Sequence, residues 1–103
     1  MTLSKKRTIT LLGVAMTLVT ANALAYTGQN LASEAKVSIE QARAIALKAY
    51  PGQITDGELE KEKGGSKLRY SFDIEHNKVA HEVGIDAETG KVLENSLEGP
   101  NAD

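Results

Sequence analysis

The sequence predicts an α+β fold: a single domain in which one N-terminal helix packs on a four-stranded antiparallel meander sheet. Three observations lead there. Between Ser38 and Tyr50 the apolar residues recur at helical spacing, and Pro51-Gly52 follows. From Ile54 onward the pattern changes to alternation, broken at Gly64-Gly65, at His76-Asn77 and at a turn closed by Gly90. Cysteine is absent, so no disulfide staples the domain and its core must hold it.

Residues 1–25 have the layout of a secretory signal peptide. Lys5, Lys6 and Arg7 form a basic start, an apolar run from Ile9 to Val19 follows, and Ala23-Leu24-Ala25 makes an A-x-A cleavage site. A spanning helix needs about 20 apolar residues; this run is shorter and is broken by Thr10 and Thr17. Cleavage after Ala25 removes three cations and no carboxylate, which moves the net charge from −2 to −5. A mildly acidic domain of this kind lacks the basic patch that nucleic acid or an anionic membrane surface requires. Without cysteine there is no lipid attachment either, so the processed chain is expected free in the periplasm, or secreted where the host lacks an outer membrane. Residues 26–36 are polar and unpatterned, with Leu31 the one aliphatic residue larger than alanine. They are expected to form a flexible leader.

Ser38 opens the helix. Ser38-Ile39-Glu40-Gln41 fits a capping box, in which the serine hydroxyl accepts from the N3 amide and Gln41 reaches back. At 100° per residue Ile39, Ala42, Ile45, Ala46, Ala49 and Tyr50 share one face, and the alanines let the helix lie close to its support. Leu47 falls outside that stripe. The expected strands are 57–63, 68–75, 79–86 and 91–95.

Charge tests the registers. With Gly64-Gly65 as the first loop, Glu62 faces Lys67, Glu60 faces Arg69 and Leu59 faces Tyr70. With His76-Asn77 as the second, Ile74 faces Val79, Phe72 faces His81, Tyr70 faces Val83 and Leu68 faces Ile85. Both arrangements gather the large apolar residues on one face, and a one-residue slip would expose them all. Residues 96–103 contain Gly99-Pro100 and are expected to form a disordered tail.

No residue set carries recognisable catalytic chemistry. His76 and His81, the two histidines, fall in a turn and on the apolar face, without the convergent ligands that a metal site needs. The many carboxylates lie on an exposed sheet face or in turns, where nothing raises one pKa as acid–base catalysis demands. No serine or threonine has a histidine placed beside it as base, and no glycine-rich run leads into a helix. No catalytic residue, metal site or cofactor is therefore assigned. Asp86 is expected to cap amides in the turn ahead of it, and Gly90 to supply the left-handed residue that closes it. Gly57 and Gly84 are expected to relieve crowding or allow a bulge.

One ordered combination of residues is familiar. It runs Ser38-x-x-Gln41-Ala42, then Tyr50-Pro51-Gly52, then Leu68-x-Tyr70-x-Phe72-x-Ile74. It ends Val83-x-Ile85-Asp86-Ala87-x-Thr89-Gly90-Lys91-Val92-Leu93. It resembles the PepSY domain family over about residues 37–95. The resemblance implies a cystatin-like unit of helix on antiparallel sheet. It also implies kinship with the propeptides of secreted metallopeptidases, in which such domains restrain the protease, and it brings no catalytic residues. Any such action here would have to be in trans, because no peptidase domain accompanies the unit.

The expected function is therefore that of an exported, non-enzymatic interaction module acting on a peptidase or another envelope protein. Its surfaces would be the edge-strand row Glu58, Glu60 and Glu62, open to strand addition, and the turn residues Glu88 and Thr89. The competing expectation is a periplasmic protein that binds a small ligand or a cation through its acidic surface.

Overall fold

A computed structural model describes residues 25–98. The expected signal peptide, apart from Ala25, and residues 99–103 of the expected tail lie outside them. Helix α1 (Ile39–Ala49) crosses one face of a sheet in the order β1 (Gln53–Lys61), β2 (Leu68–His76), β3 (Val79–Asp86), β4 (Val92–Leu97), each strand antiparallel to the next. This is the α+β architecture that the patterning predicts. Both arms of the capping box form: Ser38 Oγ accepts from the Gln41 amide at 3.1 Å, and Gln41 Oε1 accepts from the Ser38 amide at 2.9 Å. Ile39, Ala42 and Ala46 are buried, and the two alanines bring the helix backbone close to the sheet. Leu47 is half-buried and packs against the core.

The core is one layer thick. Leu59 comes from β1, Leu68, Tyr70, Phe72 and Ile74 from β2, and Val83 and Ile85 from β3; all face α1. Full burial of such side chains is worth about 1.5–3 kcal/mol each and is the main force holding helix to sheet. Tyr70 keeps its polar end satisfied by donating to the Val37 carbonyl at 2.6 Å, and burial pushes its phenol up to about 12.

β1 starts four residues earlier than expected, at Gln53. Thr55 is bulged: Ile54 faces Ile74, and Asp56 faces Asp73. Ile54 and Leu59 stand an odd number of residues apart, so strict alternation would put one of them outside. The extra residue returns both to the core side. The first hairpin keeps the expected register, with Leu59 opposite Tyr70 and Glu60 opposite Arg69. Its loop is wider than two residues, however: the Lys67 amide donates to the Gly64 carbonyl at 2.8 Å, and Gly65 and Lys67 both take positive φ.

The second hairpin differs from expectation by two residues. His76 faces Val79, Ile74 faces His81, Phe72 faces Val83 and Tyr70 faces Ile85. The turn is Asn77-Lys78, with φ of 51° and 65°. A two-residue hairpin of this hand requires positive φ at both central positions, and Asn77 supplies the first of them, not the second. The shift is even, so no side chain changes face.

β4 carries a second bulge, at Leu93, between the Gly84–Glu94 and Ile85–Val92 pairs. Pairing runs beyond the expected limit at Asn95. Ser96 faces Glu82, Leu97 faces His81, and the Glu98 amide donates to the Ala80 carbonyl at 2.8 Å. Residues 96–98 are therefore strand and strand end, not tail; a backbone ladder needs no apolar pattern.

Residues 26–36 are also placed, where the sequence suggests a flexible leader. Thr27 forms a parallel bridge to Glu58, and Gln29–Glu34 is a 3-10 helix beside β1. Main-chain hydrogen bonds and the ring of Tyr26 seat the segment, with Leu31 and Ala35 packed against the core; none of this shows as an apolar pattern.

Candidate functional site

The face of the sheet away from α1 is organised around one cation. Arg69 projects from β2, and its side chain is 11% exposed. Its guanidinium lies 2.8 Å from Glu94 on β4, 3.6 Å from Glu82 on β3, and 3.9 and 3.8 Å from Glu60 and Glu62 in the β1 arm. Nε donates to Ser71 Oγ at 2.9 Å, and that hydroxyl donates to Glu60 at 3.0 Å. The guanidinium rests over Gly84, where any Cβ would overlap it, so Gly84 relieves crowding here in a specific way. Burial works against the cation, but the hydrogen bond to Glu94 and the charges of Glu62, Glu94 and Glu82 outweigh it and raise its pKa. Glu94 is held below the usual carboxylate range, first by the bond from Arg69 and then by that from Ser96.

One guanidinium does not neutralise four carboxylates, and the surplus shows at the rim. Glu58 is pushed up, chiefly by a hydrogen bond shared with Glu60, then by burial and by the charges of Glu60, Asp56 and Glu82. Glu82 is raised by burial and by Glu94, against the pull of Arg69. Asp73 is raised by burial and by Asp56, with partial relief from a hydrogen bond to Glu98. Asp73, Glu82 and Glu98 bring carboxylate oxygens within 4.8 Å of one another. The absence of histidine and cysteine spacing had suggested no metal site. This cluster comes from three different stretches of chain, and only the pairing of β2, β3 and the end of β4 assembles it.

The turn from Asp86 to Lys91 sits at the end of the sheet next to the first loop. Asp86 Oδ1 accepts from the amides of Glu88 (2.8 Å) and Thr89 (3.1 Å) and from Ser66 Oγ (2.7 Å). Burial opposes the charge, but the bonds from Ser66, Glu88 and Thr89 win and hold this carboxyl below its usual range. Ala87 is fully buried, and its carbonyl accepts from the amides of both Lys36 and Val37 at 2.9 Å, which ties the entry to α1 onto the turn. Gly90 has φ 83° and lies against Ile45 and Val37. The turn thus joins sheet and helix through backbone groups.

The five residues expected at partner surfaces, the β1 row and the turn, have different neighbours in the fold. Glu60 and Glu62 gather at Arg69, and Glu58 joins their row. Glu88 pairs with Lys36 at 3.7 Å, and the Thr89 hydroxyl accepts from the Lys91 amide at 3.2 Å. His81 stacks on Tyr50 at 3.8 Å between centroids, its Nδ1 2.7 Å from Asn95 Oδ1, while His76 meets the same ring edge-on at 6.3 Å. Sequence reasoning paired Arg69 with Glu60 alone. The signal it passed over is that Arg69 is the one cation among the outward positions of β2, β3 and β4.

No helix among the described residues is long and apolar enough to cross a membrane. No curated protein and no solved structure matches the chain. One family model does match: PepSY, described as the peptidase propeptide and YPEB domain, over residues 36–95. That span holds α1, all of β1, β2 and β3, the Asp86–Lys91 turn and most of β4. Such domains are generally non-catalytic, propeptide-like modules; they commonly associate with peptidases and are typically extracytoplasmic. With more than half its length matched, and with the helix and four-stranded sheet in place, the chain belongs to the PepSY family.

Proposed function

We propose that this chain is an exported interaction module that acts without catalysis on a peptidase or another protein of the cell envelope. The observation that carries the reading is the extent of the PepSY match, which takes in residues 36–95 of the described 25–98. The signal-like start of the sequence supports export, and the periplasm is the compartment we assign. The β1 row of Glu58, Glu60 and Glu62 is the surface we assign to the partner, with Glu88 and Thr89 as a second contact.

The test is retention and inhibition. Processed chain immobilised on resin and exposed to periplasmic extract should retain a defined protein at micromolar concentration. It should also change the activity of a peptidase in that extract. An empty eluate together with unchanged proteolysis would remove the reading.

Cation binding, the competing reading, would fall on Asp73, Glu82 and Glu98. Three half-buried carboxylates beside other acids are what a charged face produces anyway, and no second feature points to an ion. Saturating calcium or magnesium should leave Tm unchanged, whereas a ligand at about 100 times its Kd would add about 2.7 kcal/mol.

A further inference from the structure

An edge strand offers outward N–H and C=O groups to any extended peptide that can pair with it. At the centre of β1 those groups are already taken. The Thr27 amide donates to the Gly57 carbonyl at 3.1 Å, and the Thr27 carbonyl accepts from the Leu59 amide at 2.8 Å, in a parallel bridge. The segment is fitted to its place. Tyr26 lies against Tyr70, with centroids 6.4 Å apart. Gly57 leaves room for the Phe72 ring, on which a Cβ would press at 3.2 Å, and the Cβ of Tyr26 lies within ordinary contact range of the same spot, at 3.7 Å. Gly28 has φ 89°, and any side chain on it would overlap the Leu59 carbonyl, so the chain can bend away from β1 immediately. The Leu31 amide then donates to the Gly28 carbonyl at 2.8 Å, and Glu34 pairs with Lys61 at 3.3 Å.

We infer that residues Tyr26–Glu34 are a latch over a parallel strand-addition site on β1, and that the strand the site accepts is an extended peptide with an aromatic residue followed by a basic one. The inference rests on the interaction-module reading and names the class of partner for the β1 surface. The latch itself gives the partner's chemistry. The position of Tyr26 lies beside the buried Tyr70 ring and suits an aromatic side chain. The next position pairs with Glu58, which is crowded by Glu60 and Asp56. Thr27 brings no charge to that row, and a lysine or arginine in its place would. A tethered segment competes at an effective concentration of about millimolar. Two main-chain hydrogen bonds hold the latch on the strand edge itself, and a cationic strand competes with it there through a side-chain charge that Thr27 lacks.

Two variants of the processed chain open the site. Gly28→Val forces the segment off the Leu59 carbonyl. Thr27→Pro deletes the donor to Gly57 and puts nothing against the core. The probes are synthetic peptides of residues 25–36, one with the natural sequence and one carrying Thr27→Lys. The readouts are amide hydrogen exchange, anisotropy of labelled peptide and sedimentation. The Leu59 amide should exchange at least ~10-fold faster in both variants while β2 and β3 amides keep their protection. Both variants should bind the natural peptide, and the lysine form at least ~3-fold more tightly, at concentrations where the unaltered chain binds neither. The inference fails if Leu59 protection is unchanged in a folded variant, or if peptide binding is equal with and without the latch. It also fails if the variants pair with second copies in place of peptide. Should Gly28→Val lose β2 protection, Thr27→Pro alone decides. None of these readouts needs a peptidase. An empty pull-down beside a confirmed latch therefore removes the interaction reading alone, and equal retention of a peptidase with and without the latch removes the latch alone.

Discussion

The two faces of the sheet are made by the same four strands and held by opposite means. Toward α1, Tyr70, Phe72, Ile74, Val83 and Ile85 are buried hydrocarbon and aromatic surface. On the other side, Arg69 sits amid Glu60, Glu62, Glu82 and Glu94. Hydrophobic burial is non-directional and scales with area, so the inner face depends on which side a residue points to and little on which residue stands opposite. Coulomb contacts at 2.8–3.9 Å depend on particular partners. The inner face therefore survives an even slip in register, and the outer face does not.

The largest test of the contrast is at Phe72. It is fully buried at the centre of β2, stacked on Tyr70 at 6.2 Å and opposite Val83. Phe72→Ala should cost about 3–5 kcal/mol. A domain this size has ~5–15 kcal/mol in all, so urea denaturation should show a chain near the edge of unfolding. A loss under 1 kcal/mol would mean that the inner face is loosely packed and that the contrast is false.

Arg69→Met is the matching test on the other face. It keeps the aliphatic stem and deletes the guanidinium that rests over Gly84, with the charge that four carboxylates share. Stability at neutral pH should fall by about 1–3 kcal/mol. High salt should reduce the gap to the unaltered chain, and so should acid, which protonates the surrounding carboxylates. An equal gap at pH 7 and pH 4 would show that the arginine contributes packing alone.

The carboxylates predict a pH profile without any substitution. Glu58, Asp73 and Glu82 are held above their usual range. The folded chain binds protons there more readily than the unfolded one, so stability rises as pH falls from neutral toward the ordinary carboxylate range. Asp86 and Glu94 are held below it. Their stabilisation is present above the unfolded pKa and is lost as pH falls through the folded one. Tm measured from pH 7 downward should pass through a maximum on the acid side of neutrality. A steady fall from pH 7 would show that the outer face is not strained by its surplus charge.

How much of this was legible in the sequence follows the same division. Periodicity located α1, its cap at Ser38, the four strands and the buried set, because each reflects one residue's own direction. The Asp86–Gly90 turn was legible for a related reason: Asp, Gly and the spacing between them specify local backbone hydrogen bonds. Arg69's surroundings were not, since they combine β1, β2, β3 and β4 and depend on the two-residue shift of the second hairpin and on a bulge at Leu93 that breaks the count. Nor was the seat of residues 26–34. Main-chain groups hold Thr27 on β1, and main-chain groups are the same in every sequence.

The smallest prediction decides the register on which the outer face depends. Asn77 and Lys78 both have positive φ, and lysine holds that conformation against the clash of its Cβ. Lys78→Gly would remove the clash and complete Asn-Gly, the strongest two-residue hairpin signal. The variant should be more stable by about 0.5–1 kcal/mol. Had the turn been His76-Asn77, Lys78 would be the first paired residue of the following strand. Glycine there would weaken the strand and cost a similar amount. The two registers thus predict opposite signs for one substitution. They also set different partners for Arg69: the observed register puts it opposite Asp86, with Gly84 free to receive its guanidinium, while the other puts it opposite Gly84 itself. A gain in Tm supports both the turn and the arrangement around the arginine. A loss of that size would leave the buried face as described and dissolve the outer one.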